Sequence, residues 1–94
     1  MAAYWIAHVD VTDSDVYADY ARLATLAIES HGGKFLARGG DYAVLEGACR
    51  PRNVLVEFPS MEDARRCYNS DAYQEALSYS GRSSDRDVIL LEGI

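Results

Sequence analysis

The residues of this 94-residue chain best suited to chemistry are His8, Asp10, Arg38 and Glu57. Each stands at the alternate position of a strand-like segment, away from its most apolar side chains. If the segments are neighbours, an imidazole, a guanidinium and a carboxylate meet on a half-buried surface. An imidazole with an unperturbed pKa near ~6.5 exchanges protons at working pH. The planar fork of a guanidinium fits a carboxylate, whether that of Glu57 or that of a bound acid. Two readings follow. In one, His8 carries protons, Arg38 anchors an anion and Glu57 is its partner in a ligand site. In the other, Arg38 and Glu57 form an ion pair and His8 is a satisfied histidine at a subunit contact.

Other candidates are ordered around these. Tyr17, Tyr20, Tyr68 and Tyr73 fall on inward helical arcs and read as core rings with hydroxyls at a rim. Several such rims around one cavity suit an aromatic or oxygenated ligand. Arg82, in a polar loop, either covers a pocket mouth or is simply solvated. His31 falls in the last turn of a helix, where a partly cationic ring favours the negative end; the other reading is a haem or metal ligand. His8 and His31 have no metal-ligand spacing, and no metal or cofactor is expected. The pairs Gly32-Gly33 and Gly39-Gly40 match no phosphate-binding loop and read as a helix stop and a strand bulge. Cys67 reads as an inert core thiol, and with Cys49 it forms no CxxC pair. No Ser-His-Asp, Cys-His or paired-carboxylate arrangement can be read from spacing.

The elements that must position these groups are legible from periodicity. Residues 4–11 read as a strand, with Trp5, Ala7, Val9 and Val11 on one face and Tyr4, Ile6, His8 and Asp10 on the other. Thr12 and Asp13 can cap a helix, and Asp15 three residues after Thr12 resembles a capping box. Val16, Tyr20, Leu23, Ala24, Ala27 and Ile28 share an arc of that helix, which runs to about His31 and stops at Gly32. Leu26 lies off the stripe. Residues 34–38 resume a strand, Gly39-Gly40-Asp41 breaks it, and residues 42–46 read as its continuation. A third strand spans 53–58, with Val54, Val56 and Phe58 on one face. Ser60 can cap a second helix and Ser70 a further short one. Residues 80–86 read as a polar loop and 87–93 as the last strand. The order β-α-β-β-α-β points to an α+β class, a ferredoxin-like sandwich with two main helices on one face of an antiparallel sheet. One such domain accounts for residues 1–94.

Composition bounds the partners. A chain this short folds as one domain but buries only about 60–65% of its extended surface, so a second copy would help cover what remains. It is 49% hydrophobic, and nine Lys and Arg against fifteen Asp and Glu give a formal charge of −6. Such a balance argues against nucleic acid or an anionic membrane surface as partner, because both are bound through concentrated positive charge. No segment approaches the ~20 apolar residues of a membrane span. The expected setting is reduced and cytoplasmic, and the expected partner is a second copy covering the other sheet face, which carries Ile6, Leu36 and Leu55.

Asp13 with Tyr17 and Tyr20, His31-Gly32-Gly33, Leu36-Ala37-Arg38-Gly39-Gly40, Glu46-Gly47, Glu57-Phe58-Pro59-Ser60, Ala64, Tyr68-Asn69-Ser70, Tyr73 and Glu92-Gly93 form a set. Taken together they resemble domain-of-unknown-function family 1330 over essentially the whole chain. Cys67 departs from the pattern, standing where that family is expected to have a tryptophan. The resemblance implies a dimeric α+β barrel, in which two ferredoxin-like sheets pack face to face. Related barrels include cofactor-independent monooxygenases, lactone isomerases and haem-using enzymes, a kinship of fold alone. The expected function is therefore a homodimer binding a small organic molecule in a sheet–helix cleft, with cofactor-independent chemistry. The alternative is a non-catalytic dimeric module in regulation or assembly.

Overall fold

The computed structural model describes residues 1–94. Strand β1 (Ala3–Val11) is followed by helix α1 (Ser14–Ser30), strands β2 (Lys34–Arg38) and β3 (Arg52–Phe58), helices α2 (Met61–Tyr68) and α3 (Asp71–Ser80), and strand β4 (Ser84–Glu92). The sheet order is β2-β3-β1-β4, with every neighbouring pair antiparallel. This is the expected ferredoxin-like α+β arrangement, with the second helical segment split in two at Asn69-Ser70. No helix is long and apolar enough to cross a membrane.

Alternation along β1 sets the layers. Ala3, Trp5, Ala7 and Val9 are buried beneath the helices, and the residues between them face the opposite side of the sheet. Val56 and Phe58 of β3 extend the buried face, and Tyr17, Tyr20, Ala24, Ala27 and Ile28 of α1 close over it. Trp5 is the hub: the ring of Tyr73 meets it edge-on at 4.9 Å, and those of Tyr68 and Phe58 lie tilted at 5.7 and 5.8 Å. Edge-on and tilted contacts set the positive ring edge of one partner against the negative face of another. Leu26 is exposed, consistent with its position off the stripe.

The helix starts follow the side chains able to accept from free N–H groups. Ser60 accepts from Asp63 N and Ser70 from Tyr73 N, as expected. For α1 the cap is Asp13 rather than Thr12: its carboxylate accepts from Val16 N at 3.2 Å. Position N3 is then Val16, so the Thr12–Asp15 capping box does not form. At the other end His31 donates from its ring to the Ala27 carbonyl at 2.8 Å and satisfies one of the last open acceptors.

Three further expectations fail. Residues 42–46 do not continue β2: they are exposed and outside any strand, because β2 ends at Arg38 and no neighbouring strand pairs with them. The segment 80–86 is not a solvated loop. Ser80, Ser83 and Ser84 are buried, and the Ser83 and Ser84 hydroxyls donate to the Tyr79 and Ser80 carbonyls. The Ser83 carbonyl in turn accepts from Thr12 N and Asp13 N, tying this turn to the start of α1. Strand β4 therefore begins at Ser84 and includes Arg86. Lastly, the irregularity in β2 lies three residues before Gly39. The pairing passes from Phe35↔Val56 to Ala37↔Leu55, leaving Leu36 as the extra residue of a bulge.

Candidate functional site: a cleft between the sheet and the first helix

The bulge decides which way Arg38 points. Strict alternation from Phe35 would turn Arg38 away from the helices; the extra residue restores it to the side of Val54 and Phe35. Arg38 is exposed there, with its guanidinium carbon 3.5 Å from the centroid of the Phe35 ring. It lies at the edge of a cavity between the sheet and α1. Trp5, Ala7, Val54 and Val56 form the sheet wall, Tyr17, Tyr20, Ala21, Ala24, Thr25 and Ile28 the helix wall, and Phe35, Arg38, Arg52 and Arg86 complete it. The space open to the centre of a water molecule is about 40 Å³. At ~10–15 Å³ per water, that is room for about three waters or one end of a small molecule.

Two of the cavity's lining residues, Tyr20 and Arg86, belong to a hydrogen-bonded trio completed by Tyr73, which is fully buried outside the lining. The hydroxyls of Tyr20 and Tyr73 are 2.6 Å apart, and Arg86 donates to both, from Nη1 to Tyr20 at 2.6 Å and from Nη2 to Tyr73 at 2.9 Å. Its guanidinium also lies 4.7 Å from the Tyr20 ring centroid. Burial pushes the Tyr73 phenol far up, and it raises Tyr20 against the opposing pull of Arg86. Burial works against the charge of Arg86, but the two phenol oxygens outweigh it and keep that charge in place. At neutral pH the trio is two neutral phenols on one fixed cation.

Arg52, at the start of β3, stands 5.6 Å from the Tyr17 ring centroid, and its Nε is buried with no hydrogen-bond partner. Neither Arg52 nor Arg86 was apparent among the chemistry-bearing residues of the sequence. Each sits at the margin of a strand whose inward positions are otherwise apolar or small. The signal for Arg86 lay in the alternation Ser84, Arg86, Val88, Leu90, which becomes visible once β4 begins at Ser84.

The grouping expected from sequence does not assemble. Glu57 pairs across the sheet with Tyr4, whose hydroxyl donates to it at 3.4 Å, on the face away from the helices. His8 shares that face but lies four residues along β1, opposite Asn53. Arg38 is on the other side of the sheet, so it forms no ion pair with Glu57 and no contact with His8. Of the candidates, Arg38, Tyr17 and Tyr20 line one cavity. Tyr68 packs on Trp5 and Tyr73 and is exposed on its other side. Arg82 is exposed and donates to the Ser78 carbonyl at 3.2 Å while lying over Tyr79, away from any cavity.

His8 belongs to a separate polar group on the outer face. Its Nδ1 is 2.5 Å from Asn53 Oδ1 and 3.4 Å from the exposed Cys49 thiol, which donates to the same amide oxygen at 3.2 Å. Beside it Arg50 bridges Asp10 at 2.6 Å and Asp87 at 3.2 Å, joining β1 to β4. Between this group and Glu57 runs an apolar row, Leu55–Ile6–Ile89, followed by the Tyr4–Leu91 pair. Cys67 is fully buried in the helix layer, and burial pushes its thiol up to about 11. It is a core thiol, not a nucleophile.

Among solved structures, a protein of unknown function from Rhodopseudomonas palustris superposes with a TM-score of 0.81 at 19% identity, over 99% of this chain and 82% of its own. SnoaB, a cofactor-independent oxygenase from Streptomyces nogalater, gives 0.66 at 8% identity, over 99% and 93%. A dimeric protein of unknown function and ferredoxin-like fold from Bacteroides fragilis gives 0.66 at 10% identity, over 98% and 96%. At these identities the likeness is one of fold. No curated protein matches the sequence. The profile of the domain of unknown function DUF1330, however, matches residues 2–94, the whole span from β1 through the cavity-lining strands and helices to the end of β4, so the chain belongs to the DUF1330 family.

Proposed function

We propose that the protein acts as a homodimer that binds a small organic molecule in the cleft between its sheet and α1. The observation that carries this reading is the make-up of that cleft. Small side chains, Ala7, Ala21 and Ala24, face the rings of Trp5, Tyr17 and Tyr20, and polar ends are supplied at a few points only. A concave, largely apolar wall with a few placed polar groups is the usual composition of a small-molecule site. Cofactor-independent chemistry on the bound molecule takes its support from the fold shared with SnoaB. In this reading the protein's part is electrostatic: the neutral Tyr20 phenol and the fixed Arg86 guanidinium stabilise negative charge that develops on a bound oxygen. His8 lies on the other face of the sheet and has no role in it.

The dimer in this proposal uses the outer face. Ile6, Leu55, Ile89 and Leu91 form an apolar patch that a lone copy leaves open to water. The dimeric Bacteroides fragilis protein of the same fold supports it.

The test is a thermal-shift screen of lactones, phenols and small acids against the wild type and Ala21→Leu, whose larger side chain occupies the cleft. A compound that binds only the folded state raises its melting temperature, by the equivalent of about 2.7 kcal/mol at a hundred times Kd. The expected result is a ligand that stabilises the wild type and leaves Ala21→Leu unmoved. If no compound stabilises the wild type, or Ala21→Leu responds equally, the cleft is not a binding site.

A further inference from the structure

We infer that the ligand of this cleft is an organic anion, a molecule whose carboxylate is received by Arg52 and Arg38 while its apolar body lies against Tyr17, Phe35 and the alanines of α1. The inference rests on the small-molecule reading above and adds the charge class of the ligand. The chain carries fifteen acidic residues against nine basic ones. The lining of the cleft reverses that balance: it holds Arg38, Arg52 and Arg86, and no aspartate or glutamate. All four ion pairs of the structure belong to Arg50 and Arg66, so none of the three lining guanidinia is neutralised by a carboxylate. Three cations with no carboxylate beside them leave the cleft positively charged, a balance that an incoming anion offsets.

The three arginines are not equivalent. Arg86 has both terminal nitrogens committed to Tyr20 and Tyr73, so it contributes a stationary charge at the inner end. Arg52 is the anchor. Its Nε is the one buried side-chain nitrogen or oxygen in the molecule without a partner, an omission that native structures seldom leave uncorrected. A carboxylate is the acceptor that fits a guanidinium edge, through two parallel N–H···O bonds, and because Nε is closed to water the side chain must turn toward the cleft to make them. Gly39 contributes by its lack of a side chain: a Cβ there would collide with Arg52 Nη1. Arg38, exposed and resting on Phe35, can turn over a bound acid without breaking any ion pair. The small open volume fits a short acid, and a longer one extends past Arg38 to the surface.

Two-dimensional NMR of the labelled full chain, titrated with butyrate and with butyramide, tests this. The two probes match in size and differ in charge. The expected result is saturable shifts in α1 and β3 with butyrate, at least tenfold weaker binding of butyramide, and a tenfold loss of butyrate affinity in Arg52→Gln. Arg66→Gln, on the far surface of α2, keeps wild-type affinity. Arg38→Gln, a change at an exposed side chain, also weakens butyrate and guards against an Arg52 variant that fails to fold. Equal binding of the two probes, or unchanged butyrate affinity in both Arg52→Gln and Arg38→Gln, overturns the anion assignment but leaves a small-molecule cleft. Shifts from neither probe overturn the anion assignment, and the thermal-shift screen then decides separately whether the cleft binds anything.

Discussion

Gly39 and Arg52 share a single space: the position a Cβ would take at residue 39 is occupied by the end of the Arg52 guanidinium. The glycine is also held at φ +66°, a left-handed conformation, while its N–H donates to the Asn53 carbonyl at 2.9 Å. Both constraints act on the same residue. Gly39→Val should lose about 1–3 kcal/mol through backbone strain. Gly40 has an ordinary φ and nothing within 4 Å of its Cβ position, so Gly40→Val should stay within about 0.5 kcal/mol. Urea denaturation of the pair checks this, and equal midpoints would contradict it.

The Tyr20–Tyr73–Arg86 trio predicts an asymmetric response to deletion. Tyr73→Phe removes a fully buried hydroxyl and leaves Arg86 Nη2 without its acceptor, which should cost about 1–3 kcal/mol. Arg86→Met leaves the two phenols bonded to each other, so its effect on folding should be smaller although it alone removes a charge. Chemical denaturation that ranked Arg86→Met as the more damaging of the two would refute this account.

Alkaline pH should destabilise the protein through identified groups. Cys67 rises from its ordinary 9.0 to about 11 on folding, and Tyr20 and Tyr73 rise from 10.0. A raised folded pKa means that the unfolded chain releases its proton first. Stability from these groups is therefore complete below their unfolded values and falls as pH climbs toward the folded ones. Unfolding free energy should decline from pH 9 upward, first through Cys67 and then through the phenols. Cys67→Ala should flatten the profile between pH 9 and 11, and a slope identical to the wild type's there would exclude Cys67 as its source.

On the outer face, Ile6 lies between Leu55 and Ile89 in the register. If a second copy covers this row, the interface should bury more than about 1,000 Å² in total. Ile6→Asp should then halve the mass seen by light scattering at micromolar concentration, while a wild type that is already monomeric would dispose of the interface.

Arg38→Ala separates the structure from the expectation formed on sequence. Paired with Glu57, Arg38 would have left a stranded charge when removed. Stacked on Phe35 at the surface, it should cost no more than about 1 kcal/mol, and adding Glu57→Gln should recover nothing. A double-mutant coupling above about 1 kcal/mol would restore the ion pair.

The fold was legible because alternation in β1 and β3, the α1 stripe and the serine caps are local signals that agree with one another. The site was not, and the reason is parity. Where a strand is regular, as in β1, alternation places His8 and Asp10 on the outer face correctly. In β2 one extra residue inverts the parity, and nothing in Lys34-Phe35-Leu36-Ala37-Arg38 marks it. Arg86 escaped for a related reason: the serines before it read as a loop, although buried hydroxyls bonded to carbonyls let them enter a strand. Arg52 was hidden because the third strand was expected to begin one residue later, at 53.

The bulge at Leu36 also means that the side of the sheet to which a charge is delivered depends on residue count, not residue type. Deleting Leu36 would make the ladder regular and still leave Arg38 opposite Val54, facing the cleft. Inserting one more residue, if the ladder then re-paired without a second bulge, would send the same arginine to the outer face. The cleft would lose a charge with no lining residue substituted. Two relatives could thus carry the same Arg-Gly-Gly letters and present them to opposite layers, so a one-residue insertion in this strand is a chemical difference that a comparison of residue identities does not register. Butyrate titration of the deletion and insertion variants would measure it, with binding retained in the first and lost in the second.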